Sequence, residues 1–122
     1  MLLKHFKSEE FRCRCGCQGP GHAPLPFTDL ELLNCLEEIR EAAGKPVYIN
    51  SGYRCPEYNE RVRGVKNSYH TLGKAADIRI KDMSPQEVYN LINRLYPDKY
   101  GIGLYAMFVH FDVRKNKTRF RG

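Results

Sequence analysis

Two histidines and an aspartate offer side chains suited to one piece of chemistry. His70 and Asp77 stand in "NSYHTLGKAADIRI", and His110 stands far downstream in "MFVHFDVR". Two imidazoles and a carboxylate fill three positions of a tetrahedral zinc centre and leave the fourth for water, as in hydrolytic zinc sites. Zinc brings the pKa of such a water to about 7 and polarises a carbonyl. Neutral imidazole, the form that binds metal, is available near neutral pH. Plainer readings stand beside this one. A histidine on a half-exposed strand often does no more than make a hydrogen bond, and Asp77 could be an edge-strand charge that discourages aggregation.

Side-chain alternation along strands decides whether these groups can meet. In "AADIRI", Ala75, Asp77 and Arg79 share one face, while Ala76, Ile78 and Ile80 form the apolar face that belongs in the core. In "FVHFDV", Val109, Phe111 and Val113 face the core, and Phe108, His110 and Asp112 share the opposite face. If both strands lie in one sheet, Asp77 and His110 look into the same cleft. His70 then reaches it from the preceding loop. Asp112 is placed to hold His110 as a hydrogen-bond acceptor behind the metal.

The remaining elements must build the support. Thr28 and Glu31 have capping-box spacing, and Leu32, Cys35, Leu36, Ile39 and Ala43 follow at helical period until Gly44 ends the helix. "KPVYIN" reads as a short strand, and Pro56 opens a short helical stretch. Ser84, Pro85 and Glu87 supply the cap, first-turn proline and capping-box acid of a second amphipathic helix. Its apolar stripe is Val88, Leu91, Ile92 and Leu95, and Pro97 stops it. "GIGLY" and "MFVHFDVR" pair through a tight connection near Ala106. Helices and strands come in blocks, so the expected fold is α+β with a small, mainly antiparallel sheet and helices packed on one side. A single domain over residues 1–122 is expected, with an irregular cysteine-containing segment at 1–27 and a basic tail at 115–122.

The 122 residues are 42% hydrophobic, which fits a globular protein able to bury a core. No apolar run approaches the roughly 20 residues of a membrane span, and no signal peptide is read at "MLLKHFKSEEF". Net charge is +6, with Arg114, Lys115, Lys117, Arg119 and Arg121 clustered near the end. Such a cluster attracts polyanions or simply keeps a solvated tail soluble. No aromatic single-strand platform or basic recognition helix accompanies it, so specific nucleic-acid binding is not expected. The five cysteines cannot all pair within the chain. Cys13, Cys15 and Cys17 could donate thiolates to a metal with Cys55 or His22, form a disulfide with Cys55, or remain packed thiols, whereas Cys35 falls on the helix's core face.

"SGYR", "NSYHTLGKAADI" and "FVHFDV" together resemble the zinc D-alanyl-D-alanine carboxypeptidase family, which includes phage L-alanyl-D-glutamate endopeptidases and vancomycin-resistance dipeptidases. Its Ser-x-His-x-x-Gly-x-Ala-x-Asp pattern is met at Ser68, His70, Gly73, Ala75 and Asp77. The resemblance runs over roughly residues 28–114. It implies a fold like that of D-Ala-D-Ala peptidases and hedgehog domains, zinc as cofactor, and His70, Asp77 and His110 as its ligands. It also implies that Arg54 stabilises an oxyanion or grips substrate, and that Ser68 contacts substrate. The expected activity is hydrolysis of amides in bacterial cell-wall peptides, with peptidoglycan peptides as partners, a monomeric state, and delivery as a phage-encoded or virion-associated lysin.

One position departs from the pattern. Many relatives carry Glu or Asp three residues before the last ligand as general base, and here that place holds Met107. Others use a histidine slightly further upstream, where this chain has Tyr105. Asp112 could take the base role, with Tyr105 as a substrate or oxyanion partner. A remote group such as Glu57, Glu60 or His22 could instead fold into the cleft. Alternatively the protein is a catalytically weak or inactive zinc-containing peptidoglycan-binding module, since losing a general base costs about 10²–10⁴-fold. A zinc-stabilised nucleic-acid or assembly protein using "CRCGC" and the basic end is a third reading.

Overall fold

A five-stranded sheet, ordered β1-β2-β4-β3-β5, carries the site. The strands are β1 (Val47–Ser51), β2 (Ala75–Ile80), β3 (Gly101–Leu104), β4 (Val109–Asp112) and β5 (Thr118–Arg121). All neighbours pair antiparallel except β3 and β5, which run parallel. Among the described residues, three α-helices accompany it: α1 (Leu30–Ala43), α2 (Pro56–Arg61) and α3 (Pro85–Leu95). The expected α+β class and mainly antiparallel sheet are therefore observed. The computed structural model describes residues 4–6, 8–11, 14, 28–64 and 68–122.

Local sequence chemistry sets the helix ends. Asp29, not Thr28, caps α1 by accepting from the Glu31 amide at 2.8 Å, and Thr28 is itself buried. Aspartate serves as well in this role, so the capping site lies one residue later than the Thr28–Glu31 spacing indicates. Gly44 closes the helix in the left-handed region at φ 67°. In α3 the Ser84–Glu87 capping box forms in full, with Pro85 in the first turn. Both helices bury most of the expected stripes, Leu32, Cys35, Leu36 and Ile39 on α1 and Val88, Leu91 and Ile92 on α3, whereas Ala43 is only partly buried and Leu95, the last residue of α3, is exposed. The buried residues pack with Ala76, Ile78, Val109 and Phe111 of the sheet's apolar face. Among the described residues, no helix is long and apolar enough to cross a membrane.

Among the described residues, parts of both terminal segments take up regular structure. In the expected irregular segment, Ser8–Phe11 forms a 3-10 turn, and Phe6 and Phe11 join the core. The Phe11 carbonyl accepts from the Tyr53 amide at 2.9 Å, tying this turn to the chain just after β1. Cys13, Cys15, Cys17 and His22 lie outside the described residues. At the other end, residues 118–121 of the expected basic tail are strand β5. Arg119 does structural work there. Its guanidinium donates to the Tyr96, Lys99 and Tyr100 carbonyls just past the end of α3, and to the Asn93 side chain in that helix's last turn. A cation is favoured at a helix C-terminus because the carbonyls there have no intrahelical partners.

Candidate metal centre

The Ser-x-His-x-x-Gly spacing is a capped turn. Ser68 precedes a 3-10 turn, Tyr69–Leu72, and its hydroxyl accepts from the His70 amide at 3.1 Å. Gly73 ends the turn at φ 70°, a conformation that side chains disfavour. The turn delivers His70, 2% exposed, beneath the start of β2. On β2, Asp77 stands directly opposite His110 of β4, as alternation along the two strands requires. Ala75 stands opposite Asp112.

Hydrogen bonds fix which nitrogen of each imidazole faces the site. His70 Nδ1 lies 2.8 Å from the Gly52 carbonyl, an acceptor only, so Nδ1 carries the hydrogen and Nε2 is free. His110 Nε2 lies 2.7 Å from Asp112 Oδ2 and donates to it, which leaves Nδ1 free. Both free nitrogens sit 3.1 Å from the same oxygen, Asp77 Oδ1. Neutral imidazoles would thus aim two lone pairs at a carboxylate oxygen, three acceptors with no donor among them. A cation satisfies all three. Four ligands at zinc's usual distances of about 2.0–2.1 Å are separated by about 3.3 Å in a tetrahedron, close to the observed contacts. The three ligand atoms all lie within 4.8 Å of one another, and all three residues are buried.

Protons report the same demand. Burial disfavours a charged His110, but the hydrogen bonds its ring donates to Asp112 and Asp77 outweigh it and raise its pKa above the ordinary 6.5. Burial also opposes charge on Asp77 and Asp112. The hydrogen bonds of His110 and His70 to Asp77, and of His110 and Arg114 to Asp112, nevertheless hold both carboxyls well below the usual range. The cluster is built to keep two carboxylates ionised and to attract positive charge between the imidazoles.

Arg54 reaches the site, but as a brace. Its Nη2 donates to Asp77 Oδ2 at 3.0 Å, Nη1 to Asn59 at 3.1 Å and Nε to Ser51 at 3.0 Å. One carboxylate oxygen is thereby occupied, and Oδ1 is turned toward the imidazoles. Arg54, Arg63, Ser68, Tyr105, Phe108 and Phe120 line the mouth of a cleft of about 410 Å³ with the centre at its floor. Tyr105 stacks on Phe108 with ring centroids 4.6 Å apart.

Asp112 does not fit the base role. It is 0% exposed, and both oxygens are committed to His110, Arg114 and the Arg114 amide. A carboxylate so enclosed orients the imidazole but has no path to a water in the cleft. Met107 is 75% exposed and borders a neighbouring groove with Tyr48, Ile80 and Val88. Glu60 is exposed and does not line the cleft. His22 lies outside the described residues, as does the Glu57 side chain. Among the described residues, Asp77 is thus the one carboxylate in the cleft lining.

Sequence reasoning missed Arg114, Asn59, Phe120 and the Gly52 carbonyl. Arg114 had a signal: 110, 112 and 114 share strand parity. Phe120 carried none, because its place depends on β5 pairing with β3.

The sequence matches the family model described as Peptidase M15 over residues 4–112, a span that includes all three candidate ligands. No curated protein matches the chain.

Proposed function

The chain belongs to the Peptidase M15 family, and from that premise we propose that it is a zinc-dependent peptidase hydrolysing amide bonds in bacterial cell-wall peptides. The bond class is that of D,D-carboxypeptidases or of L-alanyl-D-glutamate-type endopeptidases. The observation that carries the reading is the meeting of His70 Nε2, Asp77 Oδ1 and His110 Nδ1 at 3.1 Å contacts on the floor of a cleft. His70, Asp77 and His110 would hold the zinc, which supplies Lewis acidity toward water and an amide carbonyl.

The chain's own groups supply the rest. Gly52 and Asp112 fix the two imidazole tautomers, so no reorganisation is needed when metal arrives. Arg54 orients Asp77, and its guanidinium stands at the cleft wall, where it would stabilise a developing negative charge. Ser68 and the Tyr105–Phe108 pair form the walls against which a peptide would lie. Arg54, Arg63 and Arg114 line the cleft, and an adjoining groove beyond Tyr69 and Arg114 adds Lys74 and Lys115. This cationic rim supports a substrate bearing carboxylates or a wall bearing phosphates.

A second reading is a zinc-containing module that grips wall peptide with little or no turnover. The absence of a second carboxylate from the described cleft lining favours it. Incubating purified peptidoglycan with the protein and measuring newly released amino groups separates the two. The peptidase reading expects release that stops with a chelator and with His70→Ala. Zinc-dependent binding to peptidoglycan without release would establish the module instead.

A further inference from the structure

The basic residues after β4 look like solvated charge in the sequence, yet one of them is tied into the metal centre. Arg114 donates through Nε to Asp112 Oδ1 at 2.8 Å and through Nη2 to Asp112 Oδ2 at 2.6 Å. This two-pronged grip fixes the plane of the carboxylate as well as its position. The same Oδ2 receives the His110 Nε2 hydrogen at 2.7 Å. The grip itself is held by aromatic rings. The guanidinium carbon lies 4.5 Å from the Tyr69 ring centroid and 5.7 Å from that of Phe120. Phe120 also packs on the His110 ring at 5.4 Å.

The backbone leaves room for this arrangement. A Cβ on Gly101 would lie 2.5 Å from Asp112 Oδ1 and 2.6 Å from Arg114 Nε. A Cβ on Gly103 would collide with the Phe120 ring. Both glycines sit on β3, which pairs with β4 on one side and β5 on the other. Two bare positions on one strand thus admit the Asp112–Arg114 fork and the ring beside it.

We propose that Arg114 is a positioning residue of the metal centre: clamped by Tyr69 and Phe120, it locks Asp112, and Asp112 presents His110 Nδ1 to the metal. Strand β5 is then part of the site's support, because it supplies Phe120. This inference rests on the metal-binding reading above. A free imidazole can turn about its bond to Cβ and exchange its hydrogen between nitrogens. A carboxylate fixed in plane removes both freedoms and leaves His110 in the one state that binds. A merely structural Arg114 would tie β4 to the following loop and leave the imidazole indifferent to its loss.

The test uses the full chain and two readouts. Cobalt(II), which reports its coordination by visible absorption, measures metal affinity in the parent and in Arg114→Gln and Arg114→Lys. Nitrogen-15 NMR of the histidine rings, on metal-free protein at a pH where His110 is neutral, measures its tautomer. The parent is expected to bind cobalt and to show His110 hydrogen on Nε2. Arg114→Gln is expected to bind cobalt about 10–100-fold more weakly and to show mixed tautomers. Arg114→Lys keeps the charge without the fork and is expected not to restore either. Parent-like affinity and tautomer in folded Arg114→Gln, or full rescue by lysine, would overturn the proposal. Failure of the parent to bind cobalt would instead remove the metal reading, and the tautomer measurement still decides whether Arg114 governs His110. Should Arg114→Gln not fold, Phe120→Leu withdraws one ring of the clamp. A several-fold weaker cobalt affinity supports the inference, and unchanged affinity refutes it.

Discussion

Asp77→Asn is the sharpest probe of the centre, because it changes the charge and donor count while keeping the shape. In the parent, Asp77 Oδ1 faces the bare nitrogens of His70 and His110, each at 3.1 Å, and Oδ2 receives Arg54 at 3.0 Å. Asparagine can keep its carbonyl on Arg54 and aim its amide hydrogens at the two nitrogens. The metal-free cluster would then be satisfied without a bound proton or cation. The lost Arg54–Asp77 ion pair opposes this gain, so the melting temperature of metal-free protein is expected to stay within a few degrees of the parent's. Metal binding is a different matter, since the carboxylate is the only anionic ligand of the three. Free zinc at a thousand times its dissociation constant stabilises the folded state by about 4.1 kcal/mol. At about 2.1 cal/mol/K per residue, the unfolding entropy of a chain this long is about 0.26 kcal/mol/K, so the parent should melt about 16 °C higher with zinc. Asp77→Asn should show little or none of that shift. Calorimetry with and without zinc reads both quantities. A zinc shift in Asp77→Asn equal to the parent's would refute the three-ligand assignment. So would a parent that zinc fails to stabilise.

Metal-free protein should lose stability as pH rises above 6.5, because the raised His110 pKa contributes stability that is complete below 6.5 and vanishes as the proton leaves the folded state. The zinc-induced shift should grow over the same interval, since metal replaces that proton; thermal scans across the range check both slopes. At the acid end, the depressed carboxyls of Asp77 and Asp112 should cost stability as pH falls below 3.8, seen as a falling denaturation midpoint. Met107→Glu places a carboxylate where relatives carry their base, yet it should raise the hydrolysis rate less than tenfold, because this position borders the groove of Tyr48 and Val88 rather than the cleft; a larger gain in kcat would show that the β3–β4 connection can bring it to the site. Lys74→Glu with Lys115→Glu should raise KM for anionic wall peptides several-fold with kcat nearly unchanged, and should flatten the dependence of KM on salt.

The site was legible in the sequence to the extent that it depends on strand alternation. Placing Asp77 and His110 on the polar faces of two apolar strands was enough to bring them together, because a one-residue slip would expose Ile78 and Phe111. The same rule carries through Asp112 to Arg114, but the run of basic residues that follows disguises a clamped arginine as one more solvated charge. Composition misleads again at β5. "TRFR" has the alternation of a strand, yet nothing local says that it pairs in parallel with β3 across a connection that first passes through β4 and a loop. Non-local pairing of that kind is set by the edge that β3 leaves open and by Gly103, whose bare backbone admits the Phe120 ring.

The general base illustrates the opposite limit. Asp112 shares a strand face with His110, so alternation places its side chain on the cleft side of the sheet. Alternation says nothing about depth. Ala75 opposite and Gly101 alongside leave a space that Asp112 fills, and Arg114 then closes it. A carboxylate two residues after a metal ligand is therefore read as orienter or base by what covers it, and here a guanidinium between two rings covers it. The consequence for chemistry is direct: the proton that an attacking water must lose cannot go to Asp112 while that fork holds. If the protein turns over wall peptide, its base comes from a group outside the described cleft lining or from the substrate's own carboxylates drawn in by Arg54, Arg63 and Arg114. A pH profile of kcat that is unchanged by loss of the Asp112 carboxylate, after correcting for metal occupancy, is the outcome this geometry requires.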